Sequence, residues 1–147
     1  MKKAAVGTVP IIMALLIASC ASGRVAGGRK VQVPESQKGT GMEAVENGNT
    51  ASISFDANAT TGFSWEYVLD EEGIVEEKSS EYVNKKHPEG MVGYGGRQLY
   101  TFKGVREGST TATFIYRRPW DESSIVHTVR VDLAVDNAGN VTVADIR

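Results

Sequence analysis

Asn58-Ala59-Thr60-Thr61-Gly62-Phe63-Ser64-Trp65-Glu66-Tyr67-Val68-Leu69 holds a turn and a strand back to back. Asn58 and Gly62 are residue types that tolerate positive φ and bend a chain tightly. Thr60 and Thr61 sit at the tip, where β-branching stiffens χ1. From Phe63 the pattern alternates: Phe63, Trp65, Tyr67 and Leu69 fall on one face, Ser64 and Glu66 on the other. That is the period of a half-buried strand. A small stiff loop is thus mounted on a heavily anchored strand, as binding loops on rigid scaffolds are. A hairpin turn with no function reads the same way when the stretch is taken alone.

The flanking sequence is also strand-like. Upstream, Ala51, Ile53 and Phe55 alternate with Ser52 and Ser54, giving a strand over 50–56, and Asn47-Gly48-Asn49 marks a turn before it. Val31-Gln32-Val33 reads as a short first strand stopped by Pro34, with 35–42 as loop. Downstream, Asp70 to Gly73 reads as a turn and Ile74 to Val83 as a strand with Glu76, Glu77, Lys78 and Glu81 at solvated positions. A solvated helical turn competes with that strand. Lys85 to Gly90 is loop. Leu99 to Val105 forms the next strand, with Tyr100 and Phe102 on one face, and Glu107-Gly108 turns the chain into a strand carrying Ala112, Phe114 and Tyr116. Ile125, Val129, Val131 and Leu133 share a face of the following strand, opposite Arg130 and Asp132. Asp136 to Asn140 turns into a last strand at Val141-Thr142-Val143. Many short strands without helical periodicity predict an all-β chain, an antiparallel β-sandwich. An inward-facing Trp65 on the third strand of the sandwich matches the buried tryptophan of immunoglobulin-like domains, without their disulfide.

Two further loops stand out. Gly93-Tyr94-Gly95-Gly96 places three glycines in four positions, so its backbone can adopt conformations closed to other residues and another surface can approach closely. A strand follows it rather than a helix, which argues against phosphate binding. Arg118-Pro119-Trp120 follows a strand directly; proline stiffens the loop and keeps Arg118 extended. Tryptophan and arginine are enriched at binding hot spots, although Trp120 could equally fold back over the sandwich edge. If successive strands run antiparallel, all three unusual loops emerge at the same end.

These three motifs together resemble the chagasin-like inhibitors of papain-family cysteine proteases, whose signature is Asn-Pro-Thr-Thr-Gly-Tyr/Phe, then Gly-x-Gly-Gly, then Arg-Pro-Trp. Here they stand as Asn58-Ala59-Thr60-Thr61-Gly62-Phe63, Gly93-Tyr94-Gly95-Gly96 and Arg118-Pro119-Trp120, over roughly residues 45–135. Ala59 departs from the family's usual proline; proline would restrict the free loop, so alanine is expected to add an ordering cost on binding. The resemblance implies an immunoglobulin-like fold and a reversible inhibitor whose three loops fill the protease cleft. Thr60-Thr61-Gly62 would lie over the catalytic cysteine and histidine, the glycine loop against one wall and Trp120 against the other, with Arg118 orienting or pairing.

The amino-terminal segment reads as an export signal. Lys2 and Lys3 precede an uncharged run, and Ile11 to Ile17 forms an apolar core too short to span a bilayer, which needs about 20 residues. Leu16-Ile17-Ala18-Ser19-Cys20 resembles a bacterial lipobox, which makes Cys20, the only cysteine, the expected site of lipidation. An ordinary signal peptide cut nearby is the competing reading. The organisation expected is a signal peptide over 1–19, a lipidated Cys20 and tether over 20–30, and a sandwich domain over 31–147. The protein is then a monomer held in the cell envelope by its lipid, with Ala21 after the cysteine favouring the outer membrane by resemblance to Gram-negative lipoproteins.

Composition excludes some classes. Removing Lys2 and Lys3 with the signal takes the net charge from −2 to −4, which argues against a nucleic-acid partner. His87 and His127 have no nucleophile or acid pair placed beside them in sequence, and their spacing matches no metal site, so neither an enzyme nor a metal or other cofactor is expected. The rival to inhibition is a non-inhibitory immunoglobulin-like module for adhesion or envelope assembly. Sugar binding through Trp120 and Tyr94 is a third possibility.

Overall fold

The computed structural model describes residues 28–91 and 93–147. The signal expected over 1–19, Cys20 and most of the tether lie outside the described residues. Among the described residues nine strands run β1 (Arg29–Val31), β2 (Glu43–Asn47), β3 (Thr50–Ala57), β4 (Ser64–Leu69), β5 (Val75–Asn84), β6 (Gly96–Gly104), β7 (Gly108–Arg117), β8 (His127–Val135) and β9 (Val141–Ile146). One sheet has the order β1-β2-β3-β6-β5 and the other β4-β7-β8-β9, with every pairing antiparallel. Stripped of β1 and β9, this is the four-on-three arrangement of the immunoglobulin constant-type sandwich.

The core forms where alternating side chains of the two sheets meet. Ala51, Ile53 and Phe55 of β3, Tyr100 and Phe102 of β6, Trp65 of β4, Ala112 and Phe114 of β7, and Val129, Val131 and Leu133 of β8 are all buried. Trp65 stacks on Phe55 at 4.0 Å between ring centroids, and Phe55 meets Phe114 at 5.0 Å. An aromatic contact therefore joins β3 to β7 beneath the tryptophan, where antibody domains use a disulfide. Aromatic pairs of this geometry contribute about 0.5–1.5 kcal/mol beyond the area they bury. The hydroxyl of buried Tyr100 donates to the Trp65 carbonyl at 2.6 Å and ties β6 to β4 across the sandwich.

Several boundaries differ from the sequence reading. The first strand lies two residues earlier than 31–33, because Arg29 to Val31 pairs with Glu46 to Ala44. Arg29 and Lys30 therefore belong to the sheet and not to a tether. Residues 35–42 are not plain loop: Glu35–Thr40 forms a 3-10 turn after Pro34, closed by Gly41 at φ 62°. Strand β2 was not foreseen, since Glu43 and Glu46 hide the alternation around buried Ala44. Strand β6 begins at Gly96 rather than Leu99, and β9 runs on to Ile146. Ile125 is not in the eighth strand, which starts at His127.

Strand β5 is an edge strand, as its charges suggest. Glu76, Glu77, Lys78 and Glu81 are exposed, and the register shifts between Glu77 and Ser79. Charge and irregularity on an edge discourage pairing with another chain. At the other edge, Val143 N donates to Glu46 Oε1 at 2.8 Å and Val141 N to Gly48 O at 2.9 Å, joining β9 to the β2–β3 hairpin. Gly28 packs against Val45 and Glu46 beside that hairpin, so it lies near the end formed by the β2–β3 and β8–β9 turns.

Two expected outcomes follow from the packing. Phe55→Ala removes the ring between Trp65 and Phe114 and should destabilise the fold by about 3–5 kcal/mol in urea denaturation. Burial, followed by the Glu77 and Glu66 carboxylates, pushes the Tyr100 phenol up from 10.0 to about 12. The fold thus holds this proton more tightly than the unfolded chain does. The resulting stabilisation is intact below the unfolded value and is lost as pH rises through the folded one. Urea midpoints should fall between about pH 10 and about pH 12, and less steeply in Tyr100→Phe.

Candidate functional site

The connections β3–β4 (loop 1, 58–63), β5–β6 (loop 2, 85–95) and β7–β8 (loop 3, 118–126) leave the sandwich at one end. The register fixes this: Ala57 lies opposite Gly96, Gly96 opposite Asn84, Ser64 opposite Arg117, and Tyr116 opposite His127. All three glycine- or tryptophan-bearing motifs therefore occupy the end opposite the β2–β3 hairpin.

Loop 1 is a single 3-10 turn, Ala59–Thr61, held largely by its own hydrogen bonds. Asn58 is extended (φ −133°, ψ 95°), not left-handed as its residue type allowed. It acts through its side chain, whose Oδ1 accepts from Thr60 N at 3.2 Å and Thr60 Oγ1 at 2.6 Å. Such a side-chain cap satisfies a donor that the turn leaves open. Thr61 N and Thr61 Oγ1 both donate to Asn58 O, at 3.2 and 2.7 Å, and Gly62 N donates to Ala59 O at 3.3 Å. The first two amides are held from outside: Asn58 N donates to Tyr116 Oη at 3.2 Å and Ala59 N to Tyr82 Oη at 3.4 Å. Every backbone N–H from Asn58 to Gly62 is thus engaged within the protein. The loop offers a partner small side chains and carbonyls, already ordered.

Gly62 closes the turn at φ 78°. A Cβ there would come within 2.7 Å of the Trp120 ring, so only glycine lets the indole lie against loop 1. Trp120 is otherwise open, 74% exposed, and does not fold back into the sandwich edge. Loop 3 is set by a turn in which Asp121 N donates to Arg118 O at 3.0 Å, with Pro119 in the position that its fixed φ suits. Asp121 then accepts from Ser123 N and Ser123 Oγ at 3.0 and 2.6 Å. Those bonds, hydroxyl first, hold its carboxyl below the usual carboxylate range, with a smaller contribution from Arg118. The Arg118 guanidinium lies 4.6 Å from the Phe63 ring centroid, and its Nε reaches Thr61 O at 3.5 Å. Arg118 thus braces loop 1 from loop 3. Its neighbour Arg117 is committed to Glu66, with two bonds near 3.0 Å.

The four residues of the glycine motif divide by position. Gly93 (φ 87°) and Tyr94 are exposed at the tip, where Tyr94 stacks on His87 at 5.3 Å and donates to Met91 Sδ at 2.9 Å. Gly95 and Gly96 serve the fold: a Cβ on Gly95 would meet Ala57 O at 2.9 Å, and one on Gly96 would meet the Tyr82 ring at 2.7 Å. Gly96 is buried and is the first residue of β6.

Sequence reasoning missed Ile125 and Val126. Both lie in loop 3, are about half exposed, and add apolar surface to it. Two adjacent β-branched residues break a period-2 pattern, and that break was the available signal. Tyr82 was missed as well, since nothing in its strand marks a hydroxyl that reaches loop 1.

Residues 44–135, more than half of the chain, match the model of the chagasin family peptidase inhibitor I42. Amoebiasin-1 of Entamoeba histolytica is 35% identical over 77 residues, which cover 52% of this chain and 72% of that protein. The crystal structure of the cysteine protease inhibitor EhICP2 from the same organism superposes with a TM-score of 0.52 at 22% identity, over 58% of this chain and 77% of that one, and shows the shared fold. With its sandwich, its three loops at one end and a family match spanning the strands that carry them, the chain belongs to the chagasin family of peptidase inhibitors.

Proposed function

We propose that this protein is a reversible inhibitor of papain-family cysteine proteases that closes their active-site cleft with loops 1, 2 and 3. Family membership supports inhibition rather than catalysis, and the name of one structural relative, the cysteine protease inhibitor EhICP2, points to cysteine proteases as the targets. The observation that carries the mode of binding is the contact of Trp120 with Gly62, which joins loops 1 and 3 into one exposed face.

In this reading Thr60-Thr61-Gly62 covers the catalytic cysteine and histidine. With its amides engaged internally, the turn obstructs the cleft without offering a substrate-like backbone. Gly93 and Tyr94 lie against one wall, and Trp120 lies against the other. Asn58, Ala59, Phe63, Gly95, Gly96, Arg118 and Pro119 hold these contacts in place. Interfaces of this class bury roughly 1,600 Å² in total, and a nanomolar inhibitor needs about −12 kcal/mol.

The proposal extends to location. The chain acts as a monomer at the cell envelope, attached through lipid on Cys20, and the lipobox-like Leu16 to Cys20 run supports that reading. Burial of acyl chains contributes about 0.8 kcal/mol per CH₂, enough for several chains to hold the protein firmly.

The detergent-solubilised full chain should titrate papain stoichiometrically with a fluorogenic substrate, and Trp120→Ala should weaken inhibition at least about tenfold, the scale of a buried tryptophan anchor. Absence of inhibition at micromolar concentration, against papain and cathepsin-type enzymes alike, would overturn the reading in favour of a non-inhibitory envelope module. For the anchor, Cys20→Ala should abolish incorporation of labelled palmitate and move the protein out of the membrane fraction. An unchanged distribution would refute lipid attachment at Cys20.

A further inference from the structure

Ala59 is the only residue of loop 1 whose amide is held by a strand outside the two that flank the loop and outside β7. Its N–H donates to Tyr82 Oη at 3.4 Å, and the same hydroxyl donates to Ala57 O at 3.3 Å. A phenol has one proton to give and lone pairs to accept with, so the two bonds use it in complementary ways. Tyr82 stands near the end of β5, the edge strand, and its ring reaches loop 1 across β6. It can do so because Gly96 has no side chain: a Cβ there would lie 2.7 Å from Tyr82 Cζ and 2.8 Å from Cε1. The path is continuous, from a bare glycine in β6, through a ring laid over it, to a hydroxyl that clamps the backbone on either side of Asn58.

We propose that Tyr82 is a positioning residue for loop 1, matched to alanine at position 59. Proline would suit the backbone itself: Asn58 is extended, as a residue before proline prefers, and position 59 is the first of a 3-10 turn. Proline has no N–H, however, and its Cδ lies about 1.5 Å from nitrogen in the direction the hydrogen otherwise takes. That places the ring against Tyr82 Oη. Tyrosine at 82 and proline at 59 therefore exclude each other in this geometry. The chain orders loop 1 with a hydrogen bond from a neighbouring strand in place of a ring within the loop. Ala59 does not leave the loop loose, and the ordering cost that an alanine suggests in the sequence is met by Tyr82.

This inference rests on the inhibitory reading for its effect on affinity and on geometry alone for its effect on the loop, so two readouts separate them. The first is amide hydrogen exchange at Ala59 in the uncomplexed protein. Tyr82→Phe should accelerate it about fivefold or more, the scale of one neutral hydrogen bond, while buried amides of β3 and β6 keep their protection. The second is the inhibition constant against papain across a double-mutant cycle. Tyr82→Phe and Ala59→Pro should each weaken inhibition about fivefold. Together they should restore it to within about twofold of the parent, because proline then orders the loop without meeting a hydroxyl. A merely structural role for Tyr82 gives two losses that multiply. Multiplied losses, or unchanged Ala59 exchange in Tyr82→Phe, would overturn the proposal. If the parent protein fails to inhibit papain, the inhibitory reading falls, and the exchange measurement still decides the role of Tyr82.

Discussion

The backbone from Asp56 to Ala59 is gripped by the polar tips of three aromatic side chains, and the shape of the functional end depends on that grip. Trp65 Nε1 donates to Asp56 O at 3.0 Å; Tyr82 bridges Ala57 O and Ala59 N; Tyr116 Oη accepts from Asn58 N. Trp65 and Tyr116 also stack on each other at 5.0 Å, and Trp65 on Phe55. Their hydrogen bonds are therefore aimed by rings whose positions the core has already fixed. Each such bond has a modest net value, about 0.5–1.5 kcal/mol. Their effect is larger than their sum suggests, since they convert core rigidity into loop rigidity at the place where the chain leaves the sheet.

The other two loops take their positions from this one. Trp120 rests on Gly62, Arg118 reaches Thr61 O and lies over Phe63, and Gly95 lies against Ala57 O. Arg97 of β6 adds an ionic brace, 3.0 Å from Asp56 at the foot of loop 1. A surface assembled in this way loses little conformational entropy when it docks, and pre-organisation of that kind is a main source of affinity in interfaces of ordinary size. It also explains the mixture of residues in the motifs. Some, such as Trp120 and Tyr94, are open to a partner, whereas Gly96 is buried and Gly95 packs against loop 1.

Much of the fold was legible because the core strands alternate cleanly. Ala51-Ile53-Phe55, Trp65-Tyr67-Leu69 and Ala112-Phe114-Tyr116 announce their inward faces, and turn residues separate them. Strand β2 was hidden because Glu43 and Glu46 flank a single buried alanine and a partly covered valine on a short strand, too little periodicity to read. Ile125 was misplaced because an apolar residue just before a strand looks like its first inward position, although pairing begins only at His127. The convergence of the candidate loops was legible at the level of motifs, since three unusual loops of equal parity must emerge at one end. What the sequence could not convey was the division of labour within them. That depends on contacts between residues far apart in the chain, such as Tyr82 over Gly96 and Trp120 against Gly62.

The position of Gly28 beside the β2–β3 hairpin has a practical meaning. Gly28 and the three loops lie at opposite poles, separated by about the length of β3, eight residues or roughly 26 Å. A group joined at Gly28 meets the sandwich at the pole away from the loops. A sandwich fixed to a bead or sensor at Gly28 is therefore held by the pole opposite its three loops. An attachment engineered into any of the three loop segments would bury the face it was meant to display.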